Sequence, residues 1–132
     1  MGGEKKRILC ADDDEDTCTM MSTLLGQLGY EVIAAKSVAE ALGLAISERF
    51  DMYILNSWFP DGHSIGLCQK IRTFNPRTPI IFFSGATYAS AREEAVRAGA
   101  QVYIFKPDIE DLLRTISRLL NEQDGGRWTE GR

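Results

Sequence analysis

Polar side chains that could take part in chemistry directly follow four of the five short apolar segments of the chain. In chain order they are Asp12 and Asp13, Asn56, Ser84 and Lys106. Crowded carboxylates repel each other and favour a hard divalent cation with oxygen ligands. A lysine and a hydroxyl opposite that cation would neutralise and hydrogen-bond a phosphoryl group. We therefore expect one site for a cation and a phosphoryl group, if the fold brings the ends of these segments together.

Each of these residue types, taken alone, also has an ordinary structural role. Acidic residues after a strand commonly cap the next helix and complement its dipole, and we expect this role for Asp14 or Glu15 and for Asp16. A single serine after a strand is usually a turn residue, and a single lysine is usually solvated. The joint placement after four apolar segments favours the shared site.

The five apolar segments lack polar alternation, which is typical of strands that are buried on both faces. They are Ile8–Ala11, Val32–Ala35, Met52–Leu55, Ile80–Phe83 and Val102–Phe105. Helical periodicity fills the intervals and predicts five helices. Strict alternation of strand and helix predicts one doubly wound α/β domain with a parallel five-stranded sheet, in the flavodoxin-like order 2-1-3-4-5. In such a sheet, ligands bind at the carboxyl ends of the strands.

Residues typical of helix ends support these boundaries. Glycines after the first and fourth helices predict left-handed C-caps, two Ser-x-x-Glu sequences predict capping boxes, and one aspartate after a proline predicts an N-cap. These residues are Gly29 and Gly99, Ser37 with Glu40, Ser90 with Glu93, and Asp108.

Length and composition predict a single globular domain. The 132 residues carry a net charge of −4, without the clustered cations that nucleic acid or an anionic membrane would require. We assign residues 1–122 to the domain and residues 123–132, which include Trp128, to a flexible tail or linker stub. Three cysteines without C-x-x-C spacing, and the lack of a signal peptide or membrane span, predict a soluble cytoplasmic protein.

Four motifs in the right order resemble the receiver (CheY-like) domains of two-component response regulators, over roughly residues 6–120. The motifs end at Asp12-Asp13, at Asn56 with Pro60 four residues later, at Ser84, and at Lys106-Pro107. The resemblance implies a regulatory domain that is not an enzyme.

The resemblance also implies a magnesium site. Asp12 and Asp13 match the family's acidic pair, with Asp13 as the more direct Mg²⁺ ligand. The backbone carbonyl of Trp58 matches the third protein ligand, and Asn56 lies at the position of the phosphoacceptor. Mg²⁺ is the only cofactor that this implies.

The remaining matches concern the family's conformational switch. Ser84 matches the hydroxyl residue that follows the phosphoryl group, and Tyr103 matches the aromatic residue that turns inward with it. Lys106 matches the lysine that contacts a phosphoryl oxygen, and its bond to Pro107 is usually cis in the family.

Asn56 departs from the family, which has aspartate at this position. An amide oxygen is a far weaker nucleophile than a carboxylate and cannot form the same acyl phosphate. Loss of one anionic ligand also weakens magnesium binding. The next loop departs too, with His63-Ser64 where the family usually has Asp-Gly, and we expect His63 to be an exposed loop residue.

These observations predict a phosphorylation-incompetent receiver (a pseudo-receiver) that acts by protein–protein interaction. Its partner would be a sensor kinase or a downstream signalling protein, bound by the face of the fourth helix, fifth strand and fifth helix. Two alternatives remain open. One is an ordinary receiver with an introduced Asp-to-Asn change. The other is a haloacid-dehalogenase-type phosphatase that uses Asp12 as nucleophile and Asp14 as acid/base, although the chain lacks a cap domain.

Overall fold

The computed structural model describes residues 5–86 and 88–125, and the side chains to residue 121. This part of the chain contains seven strands and five helices. They are β1 (Arg7–Ala11), α1 (Glu15–Gln27), β2 (Glu31–Ala35), α2 (Val38–Ser47), β3 (Met52–Leu55), β4 (Trp58–Phe59), β5 (Gly62–His63), α3 (Ser64–Phe74), β6 (Ile80–Ser84), α4 (Ala91–Ala98), β7 (Val102–Phe105) and α5 (Ile109–Gly125).

Five of the strands form one parallel sheet in the order β2-β1-β3-β6-β7. This confirms the predicted order, because β4 and β5 form a separate antiparallel pair. The sequence did not predict this hairpin, in which each strand has two residues. It lies in the loop after β3, beside the carboxyl edge of the sheet.

The sheet separates two hydrophobic layers, which explains why its strands lack polar alternation. Leu9 and Ala11 of β1 belong to the layer that packs under α2, α3 and α4. Ile8 and Cys10 belong to the layer under α1 and α5. Successive residues of one strand point to opposite faces, so a strand covered on both sides is apolar throughout.

Most of the predicted helix ends are confirmed. Gly29 and Gly99 have φ values of 92° and 120°, in the left-handed region that side chains with a Cβ rarely adopt. Asp14 caps α1 by accepting the Thr17 backbone N–H, and Ser37 caps α2. The Asp108 carboxylate likewise accepts the backbone N–H of Asp111 at the start of α5.

The capping box predicted at Ser90 is wrong. Ser90 has φ −90° and ψ 1°, not the extended conformation in which an N-cap hydroxyl reaches the amide three residues on. Its hydroxyl instead donates to the Glu94 carboxylate at 3.0 Å.

The last helix continues beyond the predicted end of the domain at residue 122. It runs to Gly125, and the rest of the predicted tail, with Trp128, lies outside the described residues. Within residues 5–86 and 88–125, no helix combines the length and apolar character that a membrane crossing requires.

Candidate functional site

The ladder of backbone hydrogen bonds continues one residue past the strands and aligns their carboxyl ends. The backbone N–H of Asn56 donates to Ala11 O, and the backbone N–H of Lys106 donates to Ser84 O, both at 2.9 Å. Asp12 follows Ala11 directly. The fold therefore brings the predicted polar residues of four strands to one edge of the sheet.

An ion pair crosses this edge. Lys106 Nζ donates to Asp12 Oδ2 at 2.8 Å, although β1 and β7 are separated in the sheet by two strands. The other oxygen, Asp12 Oδ1, accepts the backbone N–H of Asp14 at 2.9 Å. The Asp12 side chain is 3% exposed and that of Lys106 24% exposed, so the lysine shields the carboxylate from solvent. The bond between Lys106 and Pro107 is cis, as the resemblance implied.

The acidic residues after β1 differ in environment. Asp13 is exposed at the rim, whereas Asp12 is buried beneath it. Hydrogen bonds from the Thr17 hydroxyl and backbone N–H lower the pKa of the Asp14 carboxyl. The phosphatase alternative needs a nucleophilic Asp12 and an acid/base Asp14. Here the first is bound by Lys106 and the second caps α1.

The Asn56 amide closes the loop that follows β3. Asn56 Nδ2 donates to the backbone carbonyl of Trp58 at 3.0 Å, and the Ser64 hydroxyl donates to the backbone carbonyl of Asn56. A carboxylate at position 56 has no N–H and could not make the first of these bonds. The Trp58 carbonyl is also the backbone ligand that the resemblance implies for Mg²⁺.

The donor atoms fit a hard cation in type, because all of them are oxygens of carboxylate, amide or carbonyl groups. Asp12, Asp13, Asn56 and the Trp58 carbonyl would hold Mg²⁺, whose charge would neutralise a phosphoryl group. Within the described chain, no group of three or more His, Cys, Asp or Glu side chains is placed to hold a metal. Besides the carboxylates of Asp12 and Asp13, a cation would therefore need uncharged oxygens as ligands. One of these, the Trp58 carbonyl oxygen, already accepts a hydrogen bond from the Asn56 amide.

Ser84 and Tyr103 are bound to the same loop residue. The buried Ser84 hydroxyl oxygen accepts the Ala86 backbone N–H at 3.1 Å. The Tyr103 hydroxyl donates to the Ala86 carbonyl at 2.6 Å, and its ring stacks on Phe82. Tyr103 thus points inward, with 6% of its surface exposed.

His63 is half-buried, contrary to the prediction of an exposed loop residue. Its Nδ1 accepts the Ile65 backbone N–H at 3.0 Å and so caps α3. Its ring meets the Trp58 ring edge-on, with the centroids 4.2 Å apart. Burial lowers the pKa of the imidazole.

Sequence reasoning also missed the role of Asp61. Its carboxylate accepts the backbone N–H groups of Val38 and Ala39, at 2.9 and 3.0 Å, which lowers the pKa of the carboxyl. Asp61 therefore attaches the loop after β4 to the start of α2. The two partners are more than twenty residues away in the sequence, and no local motif marks such a contact.

Comparisons with known proteins agree with this geometry. Residues 8–117 match the family model of the response regulator receiver domain. The chain is 32% identical over 121 residues to the transcriptional regulatory protein ZraR of Klebsiella oxytoca, covering 91% of this chain and 27% of ZraR. It is 35% identical over 115 residues to the uncharacterized transcriptional regulatory protein YrkP of Bacillus subtilis, covering 86% of this chain and 49% of YrkP. The chain thus spans from about a quarter to half of the length of these relatives.

Two solved structures have the same fold. A CheY-like receiver domain protein of Methanospirillum hungatei superposes with a TM-score of 0.88 at 31% identity, covering 93% of this chain and 99% of the other. The chemotaxis response regulator CheY4 of Vibrio cholerae gives a TM-score of 0.81 at 29% identity, covering 88% of this chain and 99% of CheY4. The sheet order, the polar residues at its carboxyl edge and these matches lead to one conclusion: the chain belongs to the response regulator receiver domains of two-component signalling.

Proposed function

We propose that this receiver domain regulates by protein–protein interaction without being phosphorylated on an aspartate, and that it is not an enzyme. The observation that carries the proposal is the amide of Asn56 at the end of β3, where the family's acceptor carboxylate belongs. At the same edge of the sheet Lys106 Nζ donates to Asp12 Oδ2, and the resemblance assigns both residues to a phosphoryl site. An amide at this position cannot form an acyl phosphate.

The contacts of the switch residues support the proposal. The inward position of Tyr103 depends on the Ala86 carbonyl and on stacking with Phe82, both supplied by the chain itself. The Ser84 hydroxyl is likewise engaged by Ala86. These bonds form without a phosphoryl group. Binding of a partner, rather than phosphorylation, would therefore bias any change between conformers.

The partner surface that we propose is the face of α4, β7 and α5. Val96 of α4 and Phe105 of β7 are 50% and 47% exposed, so both could contribute apolar contact area to a partner. The guanidinium of Arg92 lies 5.9 Å from the centre of the Tyr103 ring, so this face is in direct contact with the switch residue. The partner would be a sensor kinase or a downstream signalling protein.

Acetyl phosphate with magnesium is expected to leave the intact mass of the protein unchanged. Asn56→Asp should then gain one phosphoryl group, because it restores a carboxylate nucleophile beside Lys106. Asn121→Asp, the same exchange at an exposed position of α5, is the matched control and should gain none. A phosphoryl group on the unaltered chain would contradict the proposal. The restored reaction in Asn56→Asp is also what an ordinary receiver carrying an introduced change would show.

Magnesium is expected to bind the unaltered site about tenfold more weakly than the site of Asn56→Asp, since an anionic ligand is missing. The cation must also displace the Asn56 amide from the Trp58 carbonyl. Trp58 fluorescence can report the titration if Trp128→Phe is present in both proteins, since the chain has two tryptophans. Asp111→Asn, at a carboxylate of α5, serves as a control for general charge. Equal dissociation constants for the two proteins would contradict the placement of Asn56 at the cation site.

A further inference from the structure

The imidazole of His63 joins three parts of the fold beside the candidate site. Its Nδ1 accepts the backbone N–H of Ile65 at 3.0 Å and so caps α3, and its Nε2 lies 3.4 Å from the Tyr88 hydroxyl oxygen. The Tyr88 hydroxyl donates to Glu94 Oε1 of α4 at 3.2 Å. The imidazole also meets the Trp58 ring edge-on. His63 thus connects α3, the hairpin of β4 and β5, and α4.

These contacts require one protonation state of the ring. An Nδ1 that accepts a hydrogen bond carries no proton, so the proton of the neutral ring is on Nε2, which donates to the Tyr88 hydroxyl oxygen. A relay of hydrogen bonds then runs from the Ile65 N–H through the imidazole and the phenol to the Glu94 carboxylate. Protonation of Nδ1 would place two donors, Nδ1–H and the Ile65 N–H, against each other. The contact that caps α3 therefore exists only with the neutral imidazole.

The surroundings of the imidazole act on its charge in opposite directions. Burial lowers the pKa of His63 from its ordinary value of 6.5, and the Glu94 carboxylate raises it by a smaller amount. Burial and the hydrogen bond to Glu94 raise the pKa of the Tyr88 phenol, so its hydroxyl stays neutral when the imidazole titrates. The Asp61 carboxylate, at the turn of the same hairpin, is bound to the backbone of α2. The neutral form of His63 is thus favoured at neutral pH.

We propose that His63 is a proton-sensitive link between the loop after β3 and α4, closed by the neutral imidazole and opened by its protonation. On acidification, Nδ1 takes up a proton from solvent and ceases to accept the Ile65 N–H. The start of α3 then loses its cap, and the hairpin loses a contact that holds it to α4. Because the Trp58 carbonyl of this hairpin accepts the Asn56 amide, the change reaches the candidate site. This input does not depend on the chemistry at position 56, so it stands whether or not the chain is phosphorylated.

Acid should destabilise the domain through His63. The unfolded chain binds a proton at the ordinary pKa, whereas the folded chain binds it only at a lower pH, so protons favour unfolding between the two values. The contribution of His63 to stability is complete above about pH 6.5 and is lost as the pH falls through the pKa of the folded state. Ordinary aspartates and glutamates titrate at about pH 4, below this window.

An NMR titration of the full, isotope-labelled chain tests the link, because His63 is the only histidine and its ring signals are unambiguous. The midpoint should lie below the ordinary value of 6.5. The backbone amide signals of Ile65 and Glu94, at the two ends of the relay, should shift with the same midpoint. In Tyr88→Phe, which lacks the phenol hydroxyl, Ile65 should still follow the titration, and most of the Glu94 shift should be lost. A midpoint of 6.5 or higher, an Ile65 amide that does not follow it, or an undiminished Glu94 shift in Tyr88→Phe overturns the proposal.

Thermal melts at about pH 7.5 and about pH 5.5 distinguish the link from a cap that does not titrate. His63→Asn keeps an oxygen that can accept the Ile65 N–H, because asparagine is a good N-cap residue, but it has no proton to gain. Its melting temperature should change less between the two pH values than that of the unaltered chain. Circular dichroism at the higher pH establishes that the variant is folded, and the NMR titration of the unaltered chain decides if it is not. Equal changes in His63→Asn and the unaltered chain would also overturn the proposal.

Discussion

Replacing Lys106 with methionine is expected to lower the free energy of unfolding by about 3 kcal/mol, which corresponds to a fall in melting temperature of about 10 °C. The Asp12 carboxylate is almost entirely buried and its Oδ2 accepts from Lys106 Nζ. Removing one partner of a buried ion pair leaves the other charge uncompensated, which costs more than the pair contributed. The estimate is at the lower end of the usual range because the Lys106 side chain is partly exposed.

Lys36→Met is the matched control for this experiment. Lys36 also pairs with a carboxylate, that of Glu15, but both side chains are largely exposed and water can replace the contact. Its melting temperature should stay close to that of the unaltered chain. Asp12→Asn added to Lys106→Met should recover most of the lost stability, because it removes the buried charge. Equal effects of Lys106→Met and Lys36→Met would show that the Asp12 charge is not buried as described.

Arg72→Ala is expected to destabilise the domain by a similar amount, about 3 kcal/mol. The guanidinium of Arg72, on α3, donates to four acceptors that belong to two other segments. These acceptors are the backbone carbonyls of Asn75, Thr78 and Gly99 and the side-chain Oε1 of Gln101. It thus joins α3 to the turn before β6 and to the loop between α4 and β7. Without it, part-buried carbonyls lose charge-assisted donors that an alanine cannot replace.

Arg72→Lys separates the charge of Arg72 from its geometry. Lysine keeps the charge but lacks the planar guanidinium that serves several acceptors, so only a minor part of the stability should return. Arg97→Ala, at an exposed position of α4, controls for the loss of an arginine from a helix. Urea unfolding of the three variants measures the differences. If Arg72→Ala and Arg97→Ala unfolded at the same urea concentration, Arg72 would not join α3 to the neighbouring loops as described.

The architecture could be predicted from local sequence because its determinants are local. Four-residue apolar runs indicated the strands, helical periodicity indicated the helices, and Gly29 and Gly99 marked two helix ends. Strict alternation then left one reasonable sheet order. The failure at Ser90 has a local cause as well, because its backbone conformation directs the hydroxyl toward Glu94 and away from the amides of the first turn.

The polar edge was predictable for the same reason. A parallel sheet places the carboxyl ends of its strands side by side, so Asp12, Asn56, Ser84 and Lys106 had to lie near one another once the strands were identified. The environment of each residue was less predictable. The sequence does not distinguish Asp12 from Asp13, because burial depends on which side chain the neighbouring elements cover.

The sequence by itself determined the order of the elements, the edge at which polar groups gather and the presence of an amide, Asn56, among those groups. Only the tertiary structure decided that this amide binds the Trp58 carbonyl and that Asp61 caps a helix from a distant loop. The physical reason is that periodicity and capping are properties of neighbouring residues, whereas these contacts depend on how completed elements pack. In these contacts, the packing of a hairpin or helix sets which donor reaches which acceptor.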